Sequence, residues 1–425
     1  MKIRKLHLKN IGVFEDEPID FKPCPEGKAE IHILTGENGT GKTTILQALA
    51  NSIKSDSITL WDKLILGEDQ TFLKRLRQGC DLNLIPDLDN YEPLKYFRYI
   101  YDRVSKDNKL TMPVNRFSFA AFAYSGYRQI KDEPIEIGKE IDENPLYEAL
   151  DFIKDENSKF NVNQWLGQNL INSSLEQTKN KLEEAEYFKK KVQTLESVVN
   201  DIILKETKDN EIRFEMQSAT KLVLIKNEQE LDFDVLPDGL KSLISWIGDL
   251  LMRLDSLKWE NDTPIFDREI ILFLDEIEVH LHPAWQRKVL PIVQKLFKNA
   301  QIFVSTHSPF VVNSVDDAWV YKLKVKDGKA KVESVTKSED GNSYSYVLEE
   351  TFDIKEEFGV GVQKDLDKFK DLRNQILSST NGTSKFEKDI KALGRKLAEQ
   401  SEELNTIVQF EIRQINRRKG TKLTI

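Results

Sequence analysis

The 425-residue chain is 39% hydrophobic and 31% charged, with a formal net charge of -9, which describes a heavily charged surface and argues against binding polyanions over the whole molecule. A local basic groove stays open, because a patch matters more than the sum. Two cysteines, Cys24 and Cys80, suggest neither a disulfide framework nor a cysteine metal site. The charged first ten residues lack the apolar stretch of a signal peptide, and no apolar run approaches the roughly 20 residues that span a bilayer. The most apolar segment, Leu243 to Leu254, is broken by Asp249 and Arg253. The expected setting is a reducing cytoplasm with no membrane contact, and the length suits two or three domains or one large domain with insertions.

Residues 1–35 alternate apolar and polar at Ile3, Leu6, Leu8, Ile11, Phe14, Ile19 and Phe21, and again from Ile31 to Leu34, which predicts strands separated by turns. Gly36-Glu37-Asn38-Gly39-Thr40-Gly41-Lys42-Thr43-Thr44 follows, and Ile45, Leu46, Ala48 and Leu49 then begin a helix to about Ser55. Residues 56–112 read as an irregular, mainly helical insertion whose basic run, Lys74 to Arg77, is expected on an exposed helix face. Phe117 to Tyr124 is a strand ending in Ser125-Gly126-Tyr127-Arg128-Gln129. Pro134, Gly138 and Pro145 mark an acidic linker.

From Leu146 to Glu206 the pattern is helical. Leu175 and Leu182 lie one heptad apart and Val192, Leu195, Val199 and Ile202 follow at spacings of three and four, which predicts a helical pair or coiled-coil stub. A single helix over 170–205 would reach about 54 Å at about 1.5 Å per residue, so the long arm of a chromosome-structuring ATPase is absent. Leu222 to Ile225 and Leu231 to Val235 read as a hairpin that runs into Leu236-Pro237-Asp238-Gly239-Leu240-Lys241, followed by a helix from Ser242 to Leu257. Ile270 to Leu274 and Gln301 to Ser305 predict two buried parallel strands joined by a helix from Ala284 to Phe297. Trp319 to Val325 and Lys329 to Val335 flank the turn Asp327-Gly328. The rest is expected to be helical, with a break at 378–384 and one apolar stripe of Leu393, Leu397, Leu404, Val408, Ile412 and Ile415. The expected domains are 1–130 and 216–345 as two halves of one α/β head, 131–215 as a helical insertion, and 346–425 as a helical assembly region.

The chemistry lies in three stretches. Residues 36–44 fit the pattern G-x-x-x-x-G-K-[ST] between a strand and a helix, where glycines let backbone N–H groups turn inward and the helix N-terminus favours an anion. A triphosphate is the expected ligand, with Lys42 on its β- and γ-phosphates and the Thr43 hydroxyl on Mg²⁺. The strand 270–274 ends in Asp275-Glu276, where Asp275 suits the Mg²⁺ shell and Glu276 the orientation of an attacking water. His307 closes the next strand, where an imidazole can contact the γ-phosphate and sense its loss.

In order and spacing these motifs resemble the ABC-type ATPases of the Rad50, RecF and SMC class, with Walker A at 36–44, the signature near 236–241, Walker B at 270–276 and the switch histidine at 307. The phrase from Asp275 to Pro283 is similar to the soluble ATPases of bacterial defence. The resemblance implies an α/β ABC head with a mixed central sheet, ATP and Mg²⁺ as cofactors, and a head-to-head dimer. In that dimer Asp238, Gly239 and Lys241 of one chain close over the other's nucleotide. It also implies a counterpart for the glutamine that links Mg²⁺ to the rest of the head; Gln129 is one candidate, with Tyr127 and Arg128 an equal alternative. His280 and His282 have metal-like spacing, yet the family carries an equivalent pair beside its dimer contact, so structure or dimer signalling is favoured over zinc. The family signature starts Leu-Ser-Gly-Gly; here Pro237 replaces the hydroxyl, and Asp238 adds a charge near the phosphate unless it caps the helix. Slow hydrolysis is expected.

Residues Leu236 to Leu254 and Asp275 to Leu323 resemble the PtuA-type ATPase subunits of Septu and retron-associated anti-phage systems. That likeness implies a partner nuclease of the HNH type, higher assembly of head dimers, and, in the retron branch, DNA or a reverse transcriptase with its RNA. No nuclease is expected in this chain: none of its five histidines lies beyond 307, and Asp365-Leu366-Asp367 sits in a charged helical stretch rather than at a strand end. The alternative is a RecF- or Rad50-like DNA repair ATPase without a toxic partner.

Overall fold

The computed structural model describes residues 1–54, 81–86, 91–106, 116–126, 133–138, 144–152, 161–204, 211–339, 341–378 and 384–425. These divide into two compact units, Met1–Val347 and Leu348–Ile425. Gln129 with Tyr127 and Arg128, the basic run at 74–77, and Cys80 lie outside the described residues.

The first unit opens with β1 (Ile3–Ile11) and β2 (Phe14–Asp20), an antiparallel pair that buries Leu6, Leu8, Phe14 and Ile19. β3 (Glu30–Gly36) leads through the glycine loop into α1 (Lys42–Lys54). Within 56–112 the described residues hold the expected helix, α2 (Tyr91–Lys106), and before it an unexpected strand, β4 (Asp81–Pro86), which pairs antiparallel with β1. The alternation Asp81, Leu82, Asn83, Leu84 in β4 is a strand period, but four residues are few for a period to stand out.

β5 (Phe119–Ser125) precedes the helical pair α3 (Val162–Thr178) and α4 (Leu182–Ile203). Asn161 caps α3 by accepting from the amides of Asn163 and Gln164, and Asn180 at φ 59° turns the chain back into α4. Val192, Leu195, Val199 and Ile202 are buried, but Leu175 and Leu182 are 49% and 65% exposed at the turn of the hairpin rather than in its seam. β6 (Ile212–Ser218), β7 (Lys221–Lys226) and β8 (Gln229–Leu231) make a small antiparallel sheet. The expected hairpin therefore has a third strand before it, and its second strand is shorter, because Phe233–Val235 turns into a 3-10 helix that buries Phe233 against Phe214.

α5 (Asp238–Ser256) is the most deeply buried helix of this region and begins four residues before its expected start. β9 (Glu269–Asp275), α6 (Pro283–Leu296), β10 (Gln301–Ser305) and the single turn α7 (Pro309–Val312) lead to the hairpin of β11 (Trp319–Lys326) and β12 (Lys329–Lys337). The central sheet runs β12-β11-β3-β10-β9-β5, parallel throughout except for the antiparallel edge strand β12. Ile270 to Leu274 and Gln301 to Ser305 are buried in unbroken succession, as strands covered on both faces require. The result is a mixed α/β head. Its parallel strands deliver the ends of β3, β9, β10 and β5 to one edge, where open α/β sheets bind their ligands.

α8 (Tyr344–Phe352) spans the division between the units, and α9 (Val360–Ser378), α10 (Ser384–Ala398) and α11 (Glu402–Lys419) form the second. The apolar stripe is split between α10 and α11: Leu397, Leu404, Val408, Ile412 and Ile415 are buried with Leu366, Phe369 and Ile376 of α9, and Leu393 packs against them. It is this unit's own core. No helix among the described residues is long and apolar enough to cross a membrane.

Candidate functional site

The loop after β3 turns through Gly36, Gly39 and Gly41 at φ 145°, 81° and 89°, angles that L-residues with side chains rarely adopt. Ile45 N–H donates to the Gly41 carbonyl at 3.0 Å, so α1 starts directly on the loop. Glu37, Asn38 and Gly39 are exposed at its tip, and Thr40 is buried, its hydroxyl donating to the Glu37 carbonyl at 2.8 Å. The Lys42 ammonium folds back onto the loop, donating to the carbonyls of Gly36 at 2.9 Å and Glu37 at 3.0 Å. Burial pushes its pKa down, against the opposing carboxylates of Glu276, Asp275 and Glu278.

Thr43, Asp275 and Ser305 come together from three elements. The Thr43 hydroxyl lies 3.0 and 3.1 Å from the two Asp275 carboxylate oxygens, and the Ser305 hydroxyl donates to Asp275 Oδ1. Burial raises the Asp275 pKa, while the hydrogen bonds from Ser305 and Thr43 oppose it. Thr44 is half-buried on the first turn of α1. Glu276 leaves β9 at φ 51°, its N–H donating to the Ser305 carbonyl at 3.2 Å and hydroxyl at 3.0 Å. His307 follows β10; burial, and then the charge of Lys42, lowers its pKa, so the ring is neutral at pH 7. The geometry brings Lys42, Thr43, Asp275, Glu276 and His307 into one electrostatic neighbourhood at the C-terminal edge of the sheet.

A cleft of about 360 Å³ lies beside the loop, between Asn10 to Glu15 on the β1–β2 turn and Asp327 to Lys329 on the β11–β12 turn. Its wall residues Val13 and Phe14 touch the loop so closely that a Cβ at Gly41 would stand 2.5 Å from the Phe14 ring.

The signature segment forms the N-terminus of α5. Pro237, not Asp238, is the N-cap residue and no side chain caps the helix; Asp238 is exposed in the first turn, where its charge complements the helix dipole. Gly239 is buried against the 276–282 turn, where a Cβ would stand 2.5 Å from the His280 carbonyl oxygen. Lys241 donates to the Asp234 carbonyl at 2.7 Å. His282 is the N-cap of α6, its Nδ1 accepting from Ala284 N–H at 3.2 Å, and His280 is exposed at φ 63°. Among the described residues no three His, Cys, Asp or Glu side chains gather as a metal site.

Motif reading missed three residues that hold the site together. Ser305 joins Asp275 to Glu276; Gly126, beyond β5, donates its N–H to the Asp275 carbonyl at 2.9 Å and accepts from the Ser242 hydroxyl of α5 at 2.9 Å; and Glu278 accepts from His307 N–H at 2.6 Å. Gly126 and Glu278 each adjoin a recognised motif. Their partners lie elsewhere in the chain, so spacing alone does not reveal them.

Residues 126–313 match the family described as AAA domain, putative AbiEii toxin, Type IV TA system, and residues 1–53 match a second AAA domain family. The chain is an ATPase of the ABC type, similar to this family over residues 126–313. It is 26% identical over 425 aligned positions to the Retron Ec83 probable ATPase of Escherichia coli, covering 83% of this chain and 76% of that one. Against the Septu protein PtuA of Bacillus thuringiensis it is 25% identical over 324 positions, 73% of each chain. A solved SMC head bound to the C-winged helix domain of ScpA aligns with 79% of this chain and 98% of its own at 12% identity and a TM-score of 0.43.

Proposed function

We propose that this chain is the ATP-binding, slowly hydrolysing subunit of a cytoplasmic anti-phage defence complex, in which closure of two heads on ATP controls a partner nuclease of the HNH type. The observation that carries this reading is the gathering of Lys42, Thr43, Asp275, Glu276 and His307 at one sheet edge, in a chain similar to retron and Septu ATPases.

The triphosphate binds residues 36–44, with Lys42 leaving the carbonyls of Gly36 and Glu37 for the β- and γ-phosphates, and the nucleoside end enters the cleft beside Phe14. The Thr43 hydroxyl and Asp275 carboxylate are oxygen donors that fit magnesium, which when bound offsets the charge of the phosphates. Glu276 orients the attacking water, and neutral His307 donates to the γ-phosphate. In the closed dimer the N-terminus of α5 faces the partner's nucleotide; Val235, 68% exposed just before it, supports a contact surface there. Without a serine hydroxyl at Pro237 that contact rests on backbone N–H groups, which supports slow, switch-like turnover. Higher assembly of head dimers, and contact with DNA or a reverse transcriptase and its RNA, belong to the same reading.

Gentle purification of the tagged chain from its native operon, followed by mass spectrometry, tests it. A stoichiometric small nuclease is expected. Recovery of the chain alone, or with DNA only, contradicts the defence-complex reading and favours a RecF-like repair clamp.

A further inference from the structure

The turn 276–282 is pinned on several sides. The Glu276 N–H is held by Ser305, and Gly126 and Gly239 press against the carbonyls of Glu276 and His280. Gln286 of α6 reaches both this turn and the loop after β10: its Nε2 donates to the Leu281 carbonyl at 2.9 Å, and its Oε1 accepts from the Ser308 hydroxyl at 2.6 Å. Ser308 in turn accepts from the N–H groups of Phe310 and Val311. Glu278 completes the arrangement, with one carboxylate oxygen accepting from His307 N–H at 2.6 Å. Burial raises the pKa of this carboxyl, against hydrogen bonds that include the His307 N–H and the Thr306 side chain.

We infer that Glu278 is a positioning residue, which fixes the backbone of His307 to the Glu276 turn so that the imidazole stays beside Lys42 and Glu276. Stability alone is a poor reason for an acid here, because taking a carboxylate out of water costs free energy that a smaller apolar side chain would not. The gain is geometric. Gln286 holds Ser308 while Glu278 holds His307, so two consecutive residues of the switch loop are tied by side chains to the segment that carries Glu276. Motion of one loop is thereby transmitted to the other. The inference rests on the reading of His307 as the residue that contacts the γ-phosphate.

Two readouts test it. In the whole chain labelled at its histidine rings, the His307 signal is assigned by its loss in His307→Ala. Glu278→Ala should shift or broaden that signal, and Glu278→Gln, whose amide oxygen still accepts from His307 N–H, should leave it near its original position. In ATP hydrolysis, Glu278→Ala should lower kcat by about ten-fold with nucleotide affinity within about two-fold. Glu278→Gln should recover most of the rate, and the double variant with His307→Ala should be no slower than His307→Ala alone. An unmoved His307 signal in Glu278→Ala, no recovery in Glu278→Gln, or additive losses in the double variant would overturn the inference. Failure of the parent chain to hydrolyse ATP would sink the function reading instead, and the ring signals would still decide the role of Glu278.

Discussion

Gly126 offers a sharp perturbation of the site because it carries none of the chemistry. A Cβ built on it stands 2.0 Å from the Glu276 carbonyl oxygen, 3.0 Å from the Glu276 carbonyl carbon and 3.2 Å from Val279 Cβ. Restoring even 3.0 Å to the oxygen requires the two backbones to part by roughly 1 Å, and overpacking of this kind costs about 1–3 kcal/mol. Neither side yields easily: Gly126 is held by its N–H bond to the Asp275 carbonyl and by the Ser242 hydroxyl on its own carbonyl, and Glu276 is held by Ser305. In the role proposed for Glu276, orienting the attacking water, a displacement of about 1 Å can cost about 10²-fold in rate. Gly126→Ala should therefore lose about two orders of magnitude in ATP turnover while retaining most nucleotide affinity, since Lys42 and the glycine loop are untouched. Steady-state hydrolysis and equilibrium titration with a fluorescent nucleotide, paired with urea unfolding, separate the two effects. A variant with turnover within two-fold of the parent would refute the close approach and the argument built on it.

Lys42→Ala should weaken ATP binding and abolish protection in a phage challenge; normal ATP affinity in this variant would contradict the assignment of the phosphate site. Asp249→Ala strands the fully buried Arg253, which also donates to the carbonyls of Pro145 and Tyr147 at 2.7 Å, and should cost about 3–5 kcal/mol in urea unfolding, whereas a loss under about 1 kcal/mol would show that the pair contributes little. At Glu30 burial opposes ionisation, but hydrogen bonds from His32 and Arg4 prevail and bring the carboxyl down to about 2. The folded state then binds fewer protons than the unfolded one, so this contribution is present above pH 4.5 and is lost as pH falls toward 2. Glu30→Gln should remove that acid-dependent component, at most about 3 kcal/mol, and an unchanged pH profile would count against the network.

What could be read from the sequence was local. The glycine loop, the acidic pair that ends β9 and the histidine after β10 lie at strand ends, so their types and order carry the information. The parallel strands β9 and β10 were legible for the same reason: the unbroken apolar runs Ile270 to Leu274 and Ile302 to Val304 need cover on both faces. Pairings between distant segments were not legible. Asp81–Pro86 reads as a strand only once β1 offers an edge, and β8 is three residues long, too short for a period to show. Leu175 and Leu182 satisfy a heptad in sequence, but Asn180 breaks the helix between them and leaves both exposed. The stripe over α10 and α11 was legible as apolar, but not what covers it, because Leu366, Phe369 and Ile376 lie on a separate helix. Ser305 and Glu278 belong to the same class, each defined by a partner 29 or 30 residues away.

In the proposed function ATP closes two heads through the site at the end of the sheet. The most direct measurement is the molar mass of the Glu276→Gln chain by light scattering, with and without Mg-ATP, against the same titration of Lys42→Ala. Binding without hydrolysis should trap the closed form, so the mass of Glu276→Gln should rise to that of the next even assembly on adding Mg-ATP and fall when the nucleotide is removed, while Lys42→Ala stays unchanged. A Glu276→Gln chain that binds ATP with no change in mass would contradict the clamp.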